Sequence, residues 1–362
     1  MQTTFLIGNG FDLNLGMKTG YRDFYTHFLS LEGKNSGVIN AFKSELLKNP
    51  ENWADLELGL GEYSKDEESE ENFIYLVEEI GEELAKYIQD QECQFEFYNI
   101  SKEKAIDDLI SFEKYFSEKD KQKFGAFKRR HEQTQHLINV ISFNYTKSFE
   151  KIYEWTGQQK TLKPLSSANN THYTLSFFEH IHGTTENNML LGVNDASQIS
   201  NEKFRTSEQL ARAIIKPKMN VDTETLREEI CEEKIKNSDI ICVFGMSLGA
   251  TDKVWWQKIG AVLAKRDAIL IVFTKCAPIP PRQAYKAAIR KDEYKTRFLS
   301  YLNWSNEIKK EISDRIIVCI NTEMFKTVPI SKHGQFLKTA EDFSKQLEQV
   351  KQQVPTISDI II

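Results

Sequence analysis

The 362-residue sequence predicts an α/β protein: a Rossmann-like parallel sheet with helices on both faces and a helical insertion after the first strand–helix unit. Three observations carry this. From residue 137 onward, short apolar runs of strand length alternate with helical stretches, the pattern of parallel strands joined by crossover helices. Asp239-Ile240-Ile241-Cys242-Val243-Phe244 is apolar at nearly every position, as burial on both faces requires. The chain also opens on strand, tight glycine turn and helix: Phe5-Leu6-Ile7, then Gly8-Asn9-Gly10-Phe11-Asp12, then Gly16 and a helical stretch from Tyr21 to Leu29.

The first turn has a specific physics. Gly8 can adopt backbone shapes closed to other residues. Gly10 has no Cβ, so a phosphate could approach the main chain, and free N–H groups at a helix start favour an anion. The full dinucleotide fingerprint is not met, because Leu13 stands where its third glycine would be. The turn is therefore equally readable as a plain strand-to-helix connection. Val38–Leu47 continues the helical pattern, and Pro50-Glu51-Asn52-Trp53 breaks it. Asn52 then reads as the N-cap of a new helix, with Asp55 and Glu57 as acids of its first turn. Lys65–Asn72 is acidic and solvated, and Ile74–Ile88 and Ala105–Leu137 are long, charged and helical.

The second strand is Leu137–Phe143, ending in Asn144-Tyr145-Thr146 before a helix from Lys147 to Trp155. Strands follow at Leu175–Ile181, closed by His182-Gly183-Thr184, and at Met189–Val193. Asn201–Lys216 and Asp222–Lys236 mix loop and helix. After the buried strand 239–244 come Gly245-Met246-Ser247-Leu248-Gly249-Ala250-Thr251-Asp252 and a helix Lys253–Lys265. Ala268–Phe273 and Arg315–Ile320 are the last strands, Gln283–Lys310 is helical, and Glu341–Gln352 is a closing helix. Residues 1–50 and 137–362 are assigned to the sheet domain and 51–136 to the helical insertion.

Bulk properties exclude several classes. A net charge of −6 and a pI near 5.8 argue against nucleic-acid binding through bulk charge. Five scattered cysteines without a C-x-x-C pair argue against a thiolate zinc site, and Cys242 and Cys319 sit in apolar strands as reduced core residues. No leader segment and no apolar run of bilayer length stand out, so a cytoplasmic protein without a membrane partner is expected.

In a parallel sheet, ligands bind at the carboxyl ends of the strands. Four strand ends carry unusual chemistry: Gly8-Asn9-Gly10, Asn144-Tyr145, His182-Gly183 and Gly245-Met246-Ser247. If the strands are parallel, all four meet on one edge.

At these residues the chain resembles the AbiH family of bacterial abortive-infection antiphage proteins. The family's I-G-N-G-F-D-L-x-x-G pattern and the helix after it stand here as Ile7–Leu13, Gly16 and Tyr21-Arg22-Asp23-Phe24. Trp53-Ala54-Asp55-Leu56-Glu57 resembles its W-x-D-L-E element, and Phe143–Thr146, His182-Gly183 and Phe244–Asp252 resemble its later strand-end motifs. The resemblance runs from about residue 3 to about residue 273. AbiH proteins are in turn distantly similar to the sirtuin-like fold, which binds NAD. That similarity implies a cofactor loop at Gly8, Asn9, Gly10, Phe11 and Asp12, and cofactor contacts at Gly245, Ser247 and Asp252. It also implies catalytic roles for Asn144 and His182. The zinc module's paired cysteines are absent, which departs from a deacylase. What it implies instead is a metal-free NAD glycohydrolase, with NAD as substrate, released products ADP-ribose and nicotinamide, a phage-derived trigger or partner protein and a homo-oligomeric state.

The chemistry of the residues is compatible with this. Nicotinamide leaves as a neutral molecule, so paired carboxylates are not required. A base for water or a ribose hydroxyl is needed, and a histidine near neutral pKa suits it. An asparagine amide, donor and acceptor at once, suits the orienting role. His180 shares a strand face with His182 and is the alternative actor; Asn144 could instead cap the following helix. Three other functions stay open. Gly245-Met246-Ser247-Leu248-Gly249 matches a nucleophile elbow, with Ser247 attacking and His333 as base. Arg130 and His136 resemble the R-x(4–6)-H motif of HEPN ribonucleases, with Phe124, Phe127, Lys128 and Arg129 nearby. The third is a nucleotide-binding sensor without turnover.

Overall fold

The computed structural model describes residues 1–31, 36–131, 134–163 and 171–326. Seven strands form one sheet: β1 (Gln2–Ile7), β2 (Gln135–Ser142), β3 (Lys160–Leu162), β4 (His172–His180), β5 (Ile240–Phe244), β6 (Ile269–Thr274) and β7 (Ile316–Ile320). Their order is β3-β4-β2-β1-β5-β6-β7, and every pairing is parallel except the short edge pair β3–β4. Without the edge strand β3, this is the doubly wound order of two mononucleotide-binding halves, and it reverses direction between β1 and β5.

The register sets the functional edge. His180, Ser142, Ile7, Phe244, Phe273 and Cys319 lie in one row across the six parallel strands. The residues that follow them therefore emerge on one edge, as expected. Alternation along each strand divides the apolar side chains between two cores. Phe5, Ile7, Val140 and Cys242 pack with Phe112, Phe124 and Phe127 on one face. Leu6, Ile141, Val243 and Leu270 pack with Trp256 and Leu263 on the other. Cys242 and Cys319 are buried free thiols in these strands.

A third core belongs to neither face. Phe24, Phe28, Phe42, Leu60, Phe73 and Leu84 bury against one another and against Leu210 and Ile214. They come from helices Tyr21–Ser30, Gly37–Lys48, Leu56–Tyr63, Glu70–Gln94 and Glu208–Ile214. This is a helical cap over the carboxyl edge. The boundaries 50/51 and 136/137 do not coincide with it: residues 21–48 pack with the cap, whereas helices Lys102–Ile110 and Glu118–Arg130 cover the sheet as its first crossover. The apolar periodicity of a helix says that it has a buried face, not which partner buries it.

Other elements differ in detail. Met189–Val193 is not a strand; only Val193 bridges, to Ile215. The three-residue edge strand β3 has no apolar run to mark it in the sequence. Ala105–Leu137 is broken between residues 110 and 118, and its end belongs to β2. Asp55, not Asn52, caps the Leu56–Tyr63 helix, accepting from the N–H groups of Glu57 and Leu58 at 3.1 Å each. The closing helix at 341–352 and His333 lie outside the described residues. Among those described, no helix is long and apolar enough to cross a membrane.

Candidate functional site

A cleft of about 620 Å³ opens at the switch point, within the range of small-molecule sites. Its floor is the strand ends Gly8–Gly10, Phe143–Thr146, His182 and Gly245–Ser247, and its roof includes Tyr21, Asp55 and Glu57 from the cap. Thus all four predicted strand ends do meet, because the register is level.

The glycine turn after β1 is occupied by the protein itself. Gly8 and Gly10 donate their N–H groups to the carbonyls of Phe244 and Gly245, both at 2.9 Å, and Phe11 donates to Gly8. A Cβ on Gly10 would stand 2.5 Å from Gly245 Cα, and Gly245 has φ +70°. The absent Cβ therefore admits the β5 loop at close range, a role that the local sequence does not distinguish from room for a phosphate. Gly10→Val should force the two loops apart and cost about 2–4 kcal/mol through overpacking and lost loop–loop hydrogen bonds. Urea denaturation of the variant without nucleotide measures it; a loss below about 1 kcal/mol would remove the packing argument.

Phe11 is not in the cleft. It points into the sheet core against Phe149, Phe244 and Phe325, since the helix Gly10–Leu15 turns that position onto the apolar face. Asn9 is held by Thr19, donating to its carbonyl at 2.8 Å and accepting from its hydroxyl at 2.6 Å. Asp12 is a buried brace between two strand ends. Its carboxylate accepts from Thr146 Oγ1 at 2.7 Å and from Ser148 Oγ. Burial pushes its pKa up to about 6, against the pull of those two hydroxyls.

Asn144 is 5% exposed and does not cap the next helix, which starts at Ser148. Its backbone N–H donates to Ser142 Oγ at 3.2 Å, and its carbonyl faces His180 Nδ1 at 2.9 Å. Its side-chain Oδ1 is buried and has no partner in the protein. Such an acceptor is costly unless something else bonds to it. His180 is turned away from His182. It lies at the end of β4, with Nε2 2.7 Å from Glu150 Oε1. His182 is in the turn beyond the strand, so the alternation that would put both rings on one face has ended.

His182, 5% exposed, packs edge-on against Phe143. Its Nδ1 is 3.4 Å from Nζ of Lys216, and that ammonium is 2.6 Å from Glu57 Oε2. Lys216 is itself only 2% exposed. Burial, then the lysine charge, lowers the His182 pKa well below its usual value. An ammonium only donates, so Nδ1 is the acceptor and the neutral ring carries its proton on Nε2. Glu57 is desolvated and shifted up, though Lys216 opposes this, and its Oε1 is 3.1 Å from Tyr145 OH. Asp252, half-buried at the start of helix Lys253–Lys265, is pushed up to about 7 by burial. Asp55 accepts from Thr251 Oγ1 at 2.5 Å, tying the cap to the β5 loop. Lys216 has no signal in its own sequence context, since only the folded chain brings it 159 positions back to Glu57.

Of the other functions, the nucleophile elbow has an exposed Ser247, with positive φ at Gly245 and Leu248 instead of at the serine, and its base His333 lies outside the described residues. Arg130 forms a two-pronged ion pair with Asp267 at 3.0–3.2 Å on the amino-terminal side of the sheet, and His136 is on β2, not on the same helix. Among the described residues, no group of three or more His, Cys, Asp or Glu side chains is placed to hold a metal ion.

The fold and cleft define a Rossmann-type α/β protein whose switch-point crevice lies under a helical cap. Residues 4–274 match the family model described as Bacteriophage abortive infection AbiH. The chain belongs to that family, which places it in phage abortive infection. No curated protein matches it.

Proposed function

We propose that the cleft binds NAD and hydrolyses it to ADP-ribose and nicotinamide. The observation that carries this reading is the unpartnered Asn144 Oδ1 in the same cleft as a neutral, lysine-held His182. The bond between nicotinamide nitrogen and ribose C1′ breaks, its electron pair leaving with nicotinamide. A water forms the new bond to C1′ and gives up a proton. In this reading Asn144 accepts a hydrogen bond from the water or a ribose hydroxyl. The Nε2–H of His182 donates to an oxygen of the reacting ribose or water. Asp252, shifted to about 7, is the carboxylate suited to take the proton near neutrality. The carboxylates of Asp55 and Asp252 favour the cationic nicotinamide ring and the oxocarbenium-like state that follows, Glu57 being already paired with Lys216. Removing a cofactor needed by the infected cell is a chemistry that fits an abortive-infection role.

The test is chromatography of NAD incubated with purified protein at several protein concentrations. Nicotinamide and ADP-ribose should appear in equal amounts. Intact NAD at every concentration, with NAD nevertheless bound, would leave a sensor instead of an enzyme.

A further inference from the structure

We propose that Asp12 is the positioning residue of the cleft: its carboxylate holds the amide nitrogen of Asn144 and thereby aims Asn144 Oδ1 at the substrate. That Oδ1 meets a substrate rests on the reading above; the orientation itself rests only on groups of the protein. The Asn144 backbone is fixed at both ends. Its N–H donates to Ser142 Oγ at 3.2 Å, and its carbonyl accepts from Nδ1–H of His180 at 2.9 Å. The far nitrogen of that ring is anchored 2.7 Å from Glu150 Oε1. The side chain then keeps one freedom, the rotation that exchanges the two ends of its amide. Those ends have nearly equal shape, one donating and one accepting, so packing alone does not choose between them. A carboxylate does choose, because an ionised one only accepts. Asp12 accepts a hydrogen bond from the Asn144 side chain, so Nδ2 faces Asp12. Oδ1 is left on the other side, buried and without a partner among the described residues, on a residue that lines the cleft.

The surroundings of Asp12 suit this task better than contact with a cofactor. The side chain is buried, and Thr146 Oγ1, at 2.7 Å, and Ser148 Oγ both donate to it. With Asn144 that makes three donors on one carboxylate, which has room for about four. A phosphate brought beside it would meet a like charge. The hold on the amide lasts while Asp12 is ionised. Burial raises its pKa to about 6, against the pull of Ser148, Thr146 and Asn144. Glu92, on helix Glu70–Gln94, adds to the rise and is itself paired with Lys151 at 2.5 Å. At neutral pH the carboxylate is therefore charged. Below about 6 it carries a proton, can donate, and no longer forbids the reversed amide.

The experiment combines NMR of the Asn144 side-chain amide with NAD turnover, on the full chain and on Asp12→Asn and Ser148→Ala. The amide resonance is assigned by its loss in Asn144→Ala. Without NAD it should move with a midpoint of about 6 in wild type, as Asp12 titrates. Ser148→Ala removes a donor to the ionised form, so the midpoint should move up. In Asp12→Asn the volume is kept, but the new amide can face Asn144 with either end, and the titration should vanish. Turnover is measured at about pH 8.5, where Asp12 and Asp252 are both ionised in wild type. There Asp12→Asn should lose about 10–100-fold in kcat, the scale on which a misplaced reacting group acts, with KM for NAD changed less than about threefold. Ser148→Ala keeps the carboxylate and should lose far less. An amide resonance that ignores pH in wild type would overturn the proposal. If Asp12→Asn does not fold, Ser148→Ala decides, and an unmoved midpoint overturns it. An amide that titrates with Asp12 in a protein that leaves NAD intact would keep the orienting role and sink the glycohydrolase reading. NAD cleavage undiminished in folded Asp12→Asn would do the reverse.

Discussion

Asn144→Ala should fold with a stability within about 2 kcal/mol of wild type and lose NAD turnover by roughly 10²–10⁴. The two halves of this expectation come from different atoms. Stability comes from the Asn144 backbone, whose N–H and carbonyl bonds to Ser142 and His180 survive the substitution. The side chain contributes a buried Oδ1 without a partner, whose removal is neutral or favourable, and a hydrogen bond to the buried Asp12 carboxylate, whose loss costs about 1–2 kcal/mol. In the proposed mechanism, turnover depends on that oxygen. His182→Ala should fall by a similar factor, and the double variant little further, because groups acting as a unit are not additive. Thermal unfolding and NAD loss are measured on the same preparations. A strongly destabilised Asn144→Ala would make the amide structural. Full activity in both single variants would end the proposed mechanism.

The pH profile separates the roles. His182 stays neutral through the physiological range, since burial and Lys216 hold its pKa well below the usual 6.5. The limb expected of a neutral-pKa histidine should therefore be missing. Activity should instead rise with pH through about 7 as Asp252 deprotonates, and Asp252→Asn should abolish that limb. Stability follows by linkage. The unfolded chain protonates His182 more readily than the folded one, so the His182 contribution weakens as pH falls below 6.5. Asp12 and Asp252 act oppositely. Their raised folded pKa values favour the folded state at low pH, a gain lost as pH rises through about 6 and about 7.

Lys216→Met should be the most destabilising of the site variants, by about 3–5 kcal/mol, because it strands the Glu57 carboxylate in a buried place. Glu57→Gln alone leaves the ammonium equally stranded and should cost a similar amount. The double variant Lys216→Met/Glu57→Gln should recover most of the loss, since replacing a whole buried pair is far cheaper than breaking it. Urea denaturation of the four proteins closes the cycle. Additive losses would show that the pair is not coupled. Because Lys216 also holds the His182 ring, NMR of the double variant should show the His182 titration moving upward, toward the ordinary range.

The chain by itself determined the class of fold and the sheet edge on which the cleft opens. Strands such as Ile240–Phe244 are apolar throughout because both their faces are covered, and helix Lys253–Lys265 falls where its periodicity puts it. Asn144 and His182 are legible as candidates because they are polar residues just past buried strands of a parallel sheet, where ligand clefts open. The tertiary structure decided everything that depends on two distant segments meeting. Gly10 is glycine because Gly245 lies against it, and Phe11 belongs to the core because of the direction in which its short helix turns. Helices 21–48 form part of the cap because their apolar faces find Phe73 and Leu210, not the sheet. The pKa of His182 is lowered first by its burial and then by Lys216, whose own sequence context marks no partner. Local chemistry decides what a residue can do, but charge state and exposure are properties of its neighbours, and only folding supplies those.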